Sequence, residues 1–174
     1  MKTEIIDAVA QLHQSIDARA SALSRLHADR LQCRRGCSGC CTDELTVWEV
    51  EAAMITTRHA DVLKEAPHPA GACAFLDADG GCRVYADRPY VCRTQGLPLR
   101  WIERQLADDG VMEVLEYRDI CTLNDVDPPI EILDPEVFWT IGPIEEALAD
   151  LQDLHGAPER VALRSLFTSA VSPG

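Results

Sequence analysis

Apolar residues recur at intervals of three and four over residues 3–31. They are Ile5, Val9, Leu12, Ile16, Ala20, Leu23 and Leu26. No Gly or Pro interrupts this segment. Because residues at these intervals share one face of a helix, the pattern predicts a long amphipathic helix over residues 3–31. His13 and His27 fall within it, and we predict surface or boundary side chains there rather than metal ligands.

Helical patterns also occur in two later segments of the chain. A second helix is predicted to begin near Thr46, and a helical flank is predicted over residues 134–170. In that flank, Pro135 suits the first position of a helix, whereas Gly142-Pro143 should break or kink it. Pro158 should begin a last short helix. The flank holds no cysteine, and we expect it to pack against the first helix.

Two β-hairpins are predicted between these helices. In CAFLDADGGCRVY, short apolar runs flank a tight turn with Gly80 or Gly81 at positive φ, which places Cys73 and Cys82 on the two arms. The segments LRWIERQL and VMEVLEYRDI predict a second hairpin with Asp109-Gly110 at its turn, and a broken helix is the alternative there.

Length and charge narrow the class of protein. The 174 residues suit one compact domain, so we predict a single, mostly helical α+β domain over residues 1–174. The formal net charge of −13 argues against nucleic acid and anionic membranes as partners. The N-terminal segment lacks the apolar region of a secretory signal, and no stretch approaches the roughly 18 apolar residues of a membrane span. We therefore expect a cytoplasmic protein without nucleic-acid or membrane partners.

Eight cysteines lie within residues 33–121, and CRRGCSGCC at 33–41 holds four of them. In a reducing compartment, clustered thiols are more typical of metal or redox sites than of structural disulfides. On a helical turn or tight loop, Cys33, Cys37 and Cys40 share one face, and Cys41 points roughly a quarter-turn away. This spacing suggests that Cys40 or Cys41 serves a second site or a different metal of one cluster. Eight thiols would fill two four-ligand sites, and one cluster with additional structural cysteines is the other possibility.

Thiolates are soft ligands that select zinc, copper(I) or iron–sulfur clusters over magnesium or calcium. A site of several thiolates carries negative charge, so positively charged groups are expected around it. Five arginines flank the cysteines of this acidic chain, namely Arg34, Arg35, Arg83, Arg88 and Arg93. Gly36 and Gly39 would in addition leave backbone N–H groups free to approach sulfur.

Three other interpretations explain the residues less well. The spacing Cys33-x3-Cys37-x2-Cys40 also occurs in radical S-adenosylmethionine enzymes, but their (βα) units do not match the predicted helices and hairpins. A thiol nucleophile needs a base, and the histidines lie outside the cysteine segments. A disulfide framework conflicts with a cytoplasmic location, although Cys73 and Cys82 on paired strands could cross-link if oxidised.

The cysteine run and the segment CAFLDADGGCRVYADRPYVCR resemble the YkgJ-type cysteine-cluster proteins, which are described as zinc- or iron-chelating and also as iron–sulfur-cluster-containing. The resemblance covers roughly residues 33–121. It combines the double cysteine, the pattern C…FL…GC…Y and the turn RPxxCR. The family pattern carries onto Cys33, Cys37, Cys40, Cys41, Cys73, Cys82 and Cys92, and Cys121 looks like the family's usual final cysteine.

The resemblance implies a metal centre with these eight cysteines as ligands. We expect an iron–sulfur cluster, four-iron in preference to two-iron, with zinc as the alternative. The expected role is that of an electron carrier, a sensor or an accessory in a maturation or modification system, with a protein redox or maturation partner. A related cysteine run occurs in flagellin lysine methylases, so a cluster-dependent modification enzyme with a protein methylase-like activity is the second class, and no catalytic residue is assigned. A zinc-stabilised structural or interaction domain is the third class.

Overall fold

The computed structural model describes residues 3–34, 36–107, 110–156 and 160–169. Within these ranges the helices are α1 (Thr3–Leu26), α2 (Glu49–Arg58), α3 (Tyr90–Arg93), α4 (Pro143–His155) and α5 (Ser165–Ser169). The strands are β1 (Thr46–Trp48), β2 (Leu99–Leu106), β3 (Met112–Asp119), β4 (Trp139–Thr140) and β5 (Arg160–Ala162). Short 3-10 turns occupy Val62–Lys64, Tyr85–Asp87, Ile130–Ile132 and Pro135–Val137. The predicted α+β class is confirmed.

The predicted first helix is present as α1, which ends at Leu26 rather than near residue 31. Its apolar stripe is buried as the spacing predicts, at Ile5, Val9, Ile16, Ala20 and Leu23. Leu26, the last residue of the helix, is exposed. Across the described part of the chain, no helix combines the length and the apolar character that a membrane span requires.

The prediction that His13 and His27 are surface or boundary side chains is wrong. Both are buried, with 3% and 8% of their surface exposed. Each ring has a hydrogen-bonding partner in place of water: His13 Nε2 lies 2.9 Å from Glu51 Oε1, and His27 Nε2 lies 2.7 Å from the Val137 carbonyl oxygen. A buried polar group is stable in an apolar face when it is paired in this way.

The second helix, α2, begins at Glu49 rather than near Thr46. The three residues before it form β1, which pairs antiparallel with β5. Val47 lies opposite Val161 in this pair and is almost fully buried. The two strands are far apart in sequence, so local periodicity does not reveal their pairing.

One of the two predicted hairpins is confirmed. Strands β2 and β3 pair antiparallel from Leu99–Asp119 to Leu106–Met112, and Gly110 in the connection has φ +80°. Asp109, the other predicted turn residue, lies outside the described residues. Strand β4 joins the free edge of β2 in parallel, which gives the order β3-β2-β4.

The other predicted hairpin has a tight turn but no strands. A single antiparallel bridge joins Leu76 and Cys82. Gly80 has φ +78°, so the first of the two candidate glycines takes the left-handed conformation. The predicted turn is therefore present, and the paired arms are reduced to one bridge.

The predicted helix from residue 134 is wrong in its first part. A 3-10 turn at Pro135–Val137 leads into β4, whose Trp139 N–H donates to the Pro98 carbonyl oxygen at 2.8 Å. Gly142 has φ +127°, and α4 begins at Pro143, so the predicted break is present. The predicted helix start at Pro158 lies outside the described residues, and β5 precedes α5.

Of the four apolar clusters among the described residues, two involve the C-terminal flank and the cysteine segments. In one cluster, Trp139 and Leu148 from the C-terminal flank pack against Ile16 of α1, as predicted. In the other, Phe167 of α5 contacts Phe75, with ring centroids 4.9 Å apart. The side chains of two cysteines, Cys73 and Cys82, pack against this second cluster. This cluster therefore packs directly against the segment that holds Cys73 and Cys82.

Candidate metal centre

Seven of the eight cysteines line one cavity of about 630 Å³. They are Cys33, Cys37, Cys40, Cys41, Cys73, Cys82 and Cys92. Three separate parts of the chain supply them: the cysteine run, the turn that follows residue 73, and α3. Cys121 does not belong to the lining of this cavity.

The cysteine run is a loop made of successive turns. The Cys37 N–H donates to the Arg34 carbonyl oxygen, and the Cys41 N–H donates to the Ser38 carbonyl oxygen, both at 2.9 Å. Gly36 adopts φ +85°, a backbone conformation that favours glycine. This conformation lets the chain turn back, so that several thiols of a short segment face the same space.

The turn after Cys73 is fixed by a carboxylate. Asp77 Oδ1 accepts hydrogen bonds from the backbone N–H groups of Asp79 at 2.9 Å and Gly81 at 2.7 Å. Gly80 in the same turn packs close to the Gly36 carbonyl oxygen of the cysteine run. The side chain of Asp77 therefore shapes the turn that faces the cysteine run.

The third cysteine segment is α3, which carries Cys92. The Tyr90 N–H at its start donates to Glu51 Oε1 at 2.7 Å. The Tyr90 hydroxyl in turn accepts a hydrogen bond from Trp139 Nε1 at 2.9 Å. Buried groups therefore hydrogen-bond to both the backbone and the side chain of Tyr90, the first residue of this short helix. No sequence pattern marks Glu51, because its carboxylate meets α3 only in the folded chain.

Burial raises the pKa of several thiols of the cavity. The pKa of Cys41 is raised from 9.0 to about 12, first by burial and then by the neighbouring thiols of Cys40, Cys73 and Cys82. Burial is also the main cause that raises the pKa of Cys92, which lies on α3. A metal ion that binds these sulfurs must displace their protons, since thiolates are the ligands.

The neighbouring Cys40 and Cys41 contact each other but have different further neighbours. Their thiols lie close enough to influence each other, and the predicted divergence by a quarter-turn stays a prediction. Burial raises the pKa of Cys40, and its other thiol neighbours are Cys37 and Cys33. The further neighbours of Cys41 come instead from the turn that holds Cys73.

Two of the predicted arginines line the cavity, namely Arg34 and Arg88. Arg83 donates to Glu65 and to the Ala74 carbonyl oxygen, outside the lining of the cavity. Although burial raises the pKa of Cys82, the positive charges of Arg88 and Arg83 oppose that rise.

The other two predicted arginines do not contribute to the cavity lining. Arg93 is buried and donates to Asp17 Oδ2 of α1 and to the Ala86 carbonyl oxygen. Arg35 lies outside the described residues. Of the two glycines expected near sulfur, Gly36 lines the cavity and Gly39 does not.

Cys121 is connected to the cavity through Asn124. The Asn124 N–H donates to the Cys121 carbonyl oxygen at 2.7 Å, and Asn124 Nδ2 lies 3.5 Å from Cys33 Sγ. Asn124 is fully buried, and its side chain also bonds the backbone of Gln32 and Gly96. The only sequence feature that could have singled out Asn124 is its position three residues after Cys121.

Apolar side chains form part of the cavity wall. They include Leu45, Phe75 and Leu163, and the last belongs to the connection between β5 and α5. The C-terminal flank therefore contributes to the cavity as well as packing on α1. Apolar walls limit the access of water to a bound metal centre.

The donor chemistry of the cavity fits a thiophilic metal or an iron–sulfur cluster, because sulfur is its most abundant metal-ligating atom. In the ranges that the structure describes, no three Cys, His, Asp or Glu side chains form a group arranged to hold a metal ion. The assignment of the eight cysteines as ligands therefore stays a prediction.

One comparison with known proteins gives a match. A family model with the description CxxCxxCC, "putative zinc- or iron-chelating domain", matches residues 32–121. This range covers just over half of the chain and includes all eight cysteines. Comparisons with curated proteins and with solved structures find no similar chain. The family resemblance that the cysteine motifs indicate is thereby confirmed.

Proposed function

Because the chain belongs to the CxxCxxCC family of zinc- or iron-chelating domains, we propose that its cavity holds an iron–sulfur cluster, four-iron in preference to two-iron. The observation that carries the proposal is the convergence of seven thiols from three chain segments on one cavity. Cysteine thiolates are the common protein ligands of such clusters.

The size and number of donors favour a cluster over a single zinc ion. Tetrahedral zinc uses four sulfurs, each about 2.3 Å from one point. The cavity of about 630 Å³ offers more thiols and more space than that. Arg34 and Arg88 also line it, and their charges would offset the negative charge of a thiolate-bound cluster.

We propose a role in electron transfer or sensing within a maturation or modification system. Cys33 and Cys40 line the cavity and are exposed, so the cavity reaches the surface, where a partner can approach. The net charge of −13 disfavours nucleic acid and anionic membranes, so the partner we propose is a protein. A reducing compartment such as the cytoplasm keeps the thiols available for metal.

An enzyme remains the second class. It requires an acid or base beside the cluster, and Asp77 is a carboxylic acid in the cavity lining. Its Oδ1 accepts hydrogen bonds from two backbone N–H groups of the turn, so this side chain has a structural role. The geometry therefore favours a binding module over a modification enzyme.

Anaerobic purification with iron, zinc and acid-labile sulfide quantified on the same sample tests the proposal. We expect a brown protein with broad visible absorption and with iron matched by sulfide. A colourless protein that contains zinc and no sulfide would contradict the cluster and establish the zinc-stabilised domain instead. A redox titration of the brown protein would then test electron transfer.

Three variants connect the metal to these residues. Cys33→Ser and Cys92→Ser remove thiols from two different segments, and we expect both to lose metal and stability. Ser38→Ala lies in the same loop as Cys33 and removes no thiol, so it should keep the full metal content. If both cysteine variants keep the metal content of the unsubstituted chain, the ligand assignment is wrong.

A further inference from the structure

The cavity cysteines fall into two groups that meet at the Cys40–Cys41 pair. One group, here called the inner thiols, consists of Cys41, Cys73, Cys82 and Cys92. The other group, here called the outer thiols, consists of Cys33, Cys37 and Cys40. Both groups line the same cavity, but different backbone segments and different neighbours define them.

Backbone contacts join the inner thiols. The Cys73 N–H donates to the Cys41 carbonyl oxygen at 2.8 Å, which links the end of the cysteine run to the following turn. The bridge between Leu76 and Cys82 then brings the other end of that turn alongside. Cys92 completes the group from α3: it lines the same cavity, and the thiols that act on it electrostatically are the other three inner thiols.

The outer thiols belong to the cysteine run alone. Cys40 and Cys33 are exposed, and Cys37 is partly buried, as is every inner thiol. The thiols that surround Cys40, apart from adjacent Cys41, are Cys37 and Cys33. The buried Asn124 side chain also contacts this group, with its Nδ2 3.5 Å from Cys33 Sγ.

We propose that the two groups are two adjacent metal sites: an inner four-thiolate site that holds the iron–sulfur cluster, and an outer three-thiolate site that takes a soft divalent ion such as zinc. Four cysteines complete the ligand set of a cluster. Three leave one position of a tetrahedral ion open to a ligand from solution or from a partner. Cys121 is assigned to neither site. This division rests on the proposed function, because it concerns the same metal centre.

The adjacent cysteines provide a matched test. Cys40→Ser and Cys41→Ser make the same chemical change one position apart. After anaerobic reconstitution with iron and sulfide, followed by Zn²⁺ and removal of unbound metal, iron, sulfide and zinc are measured per chain. Cys41→Ser should lose nearly all iron and sulfide. Cys40→Ser should keep both and lose the zinc.

A second pair guards against variants that fail to fold. Cys37→Ser should behave like Cys40→Ser, so the metal that Cys33→Ser loses should be the zinc, and Cys92→Ser should behave like Cys41→Ser. The decisive variants are the outer ones, because the proposal requires them to keep the iron, the sulfide and the visible spectrum of the unsubstituted chain. If Cys37→Ser and Cys40→Ser lose iron and sulfide as fully as Cys41→Ser, all seven thiols serve one site and the division is wrong.

The division and the proposed function fail in different ways. An unsubstituted chain that takes up no iron or sulfide contradicts the cluster. Zn²⁺ alone then tests the division: about two ions per chain are expected for two thiolate sites, and about one in either Cys40→Ser or Cys41→Ser. A single zinc that both variants abolish would overturn the division.

Discussion

Gly96 leaves room for the Cys33 thiol. It has φ +89°, and a Cβ atom at this position would lie 2.6 Å from Cys33 Sγ. Gly110 in the β2–β3 connection has φ +80°, but a Cβ atom there would meet nothing within 4 Å. Both glycines therefore have a left-handed backbone conformation, but only at Gly96 would an added Cβ atom collide with another side chain.

We expect Gly96→Ala to destabilise the protein more than Gly110→Ala does. Each alanine pays a backbone cost of about 1 kcal/mol in the left-handed region. Only the first also displaces a side chain, which should add about 1 kcal/mol or more to the loss. Urea unfolding of both variants measures the difference. Equal losses in the two variants would show that the thiol moves aside without cost.

Glu51 satisfies two buried donors from different elements. Its Oε1 lies 2.9 Å from His13 Nε2 of α1 and accepts the Tyr90 N–H of α3 at 2.7 Å. The side chains of His13 and Glu51 are each only 3% exposed. A single carboxylate of α2 therefore connects this helix to both α1 and α3.

Glu51→Met should cost about 3 kcal/mol of unfolding free energy, because it leaves both buried donors without their acceptor. The same change at exposed Glu44 is the control, and it should stay within about 0.5 kcal/mol of the unsubstituted protein. Urea denaturation measures both. A Glu51→Met variant as stable as Glu44→Met would mean that water or another group replaces the carboxylate.

At the scale of elements, Asp87 connects the end of α2 to the 3-10 turn that precedes α3. Its carboxylate accepts from Arg58 Nη1 at 2.7 Å and lies 2.8 Å from His59 Nε2. Burial opposes ionisation of this group, but the hydrogen bonds and charges of Arg58 and His59 outweigh burial and lower the pKa of Asp87 below 3.8. The ionised carboxylate therefore helps to hold the segment that leads to Cys92.

A depressed pKa makes this contribution depend on pH in a defined direction. The stabilisation is fully present above the unfolded pKa of about 3.8 and is lost as the pH falls through the lower folded pKa. Asp87→Asn should therefore cost about 1 kcal/mol near pH 7, a value reduced by solvent screening, and progressively less below about pH 4. Unfolding free energies at several pH values measure this.

Asp61→Asn is the control for this prediction, since it removes an ion pair with Lys64 between exposed side chains. It should change stability little at any of these pH values. A penalty for Asp87→Asn that stays constant into strong acid would contradict the role of the ionised carboxylate.

At the scale of the whole molecule, the cysteine segments and the α1–α4 contact depend on different interactions. The cluster around Ile16, Trp139 and Leu148 contains no cysteine. The cluster around Phe75 and Phe167 has Cys73 and Cys82 packed on its surface. Loss of metal should therefore affect the two regions unequally.

We expect metal removal by chelation to lower the unfolding free energy by about 3 kcal/mol or more, since bound metal stabilises only the folded state. Hydrogen exchange should accelerate in residues 33–41 and 73–82, while the buried face of α1 stays protected. Elemental analysis confirms that the metal has left. Unchanged exchange in the cysteine segments of the metal-free protein would contradict a structural coupling between metal and fold.

The sequence was sufficient where the deciding interactions are local. The three-and-four spacing of α1 predicts its buried face, because a helix places those positions on one side. The β2–β3 hairpin follows from two strand-like runs around an Asp-Gly pair. The family also follows from the sequence, because the cysteine spacings are themselves the family's motif.

Only the tertiary structure decided the features that depend on partners distant in the chain. The pairing of β1 with β5 and of β4 with β2 replaces helix at positions where local periodicity predicts it. His13 is buried because Glu51, 38 positions away, supplies its partner. Cys73 and Cys82 likewise influence Cys41 because the fold brings a distant segment beside the cysteine run. Local patterns fix where an element can form, whereas burial and pairing depend on long-range contacts that a linear pattern does not contain.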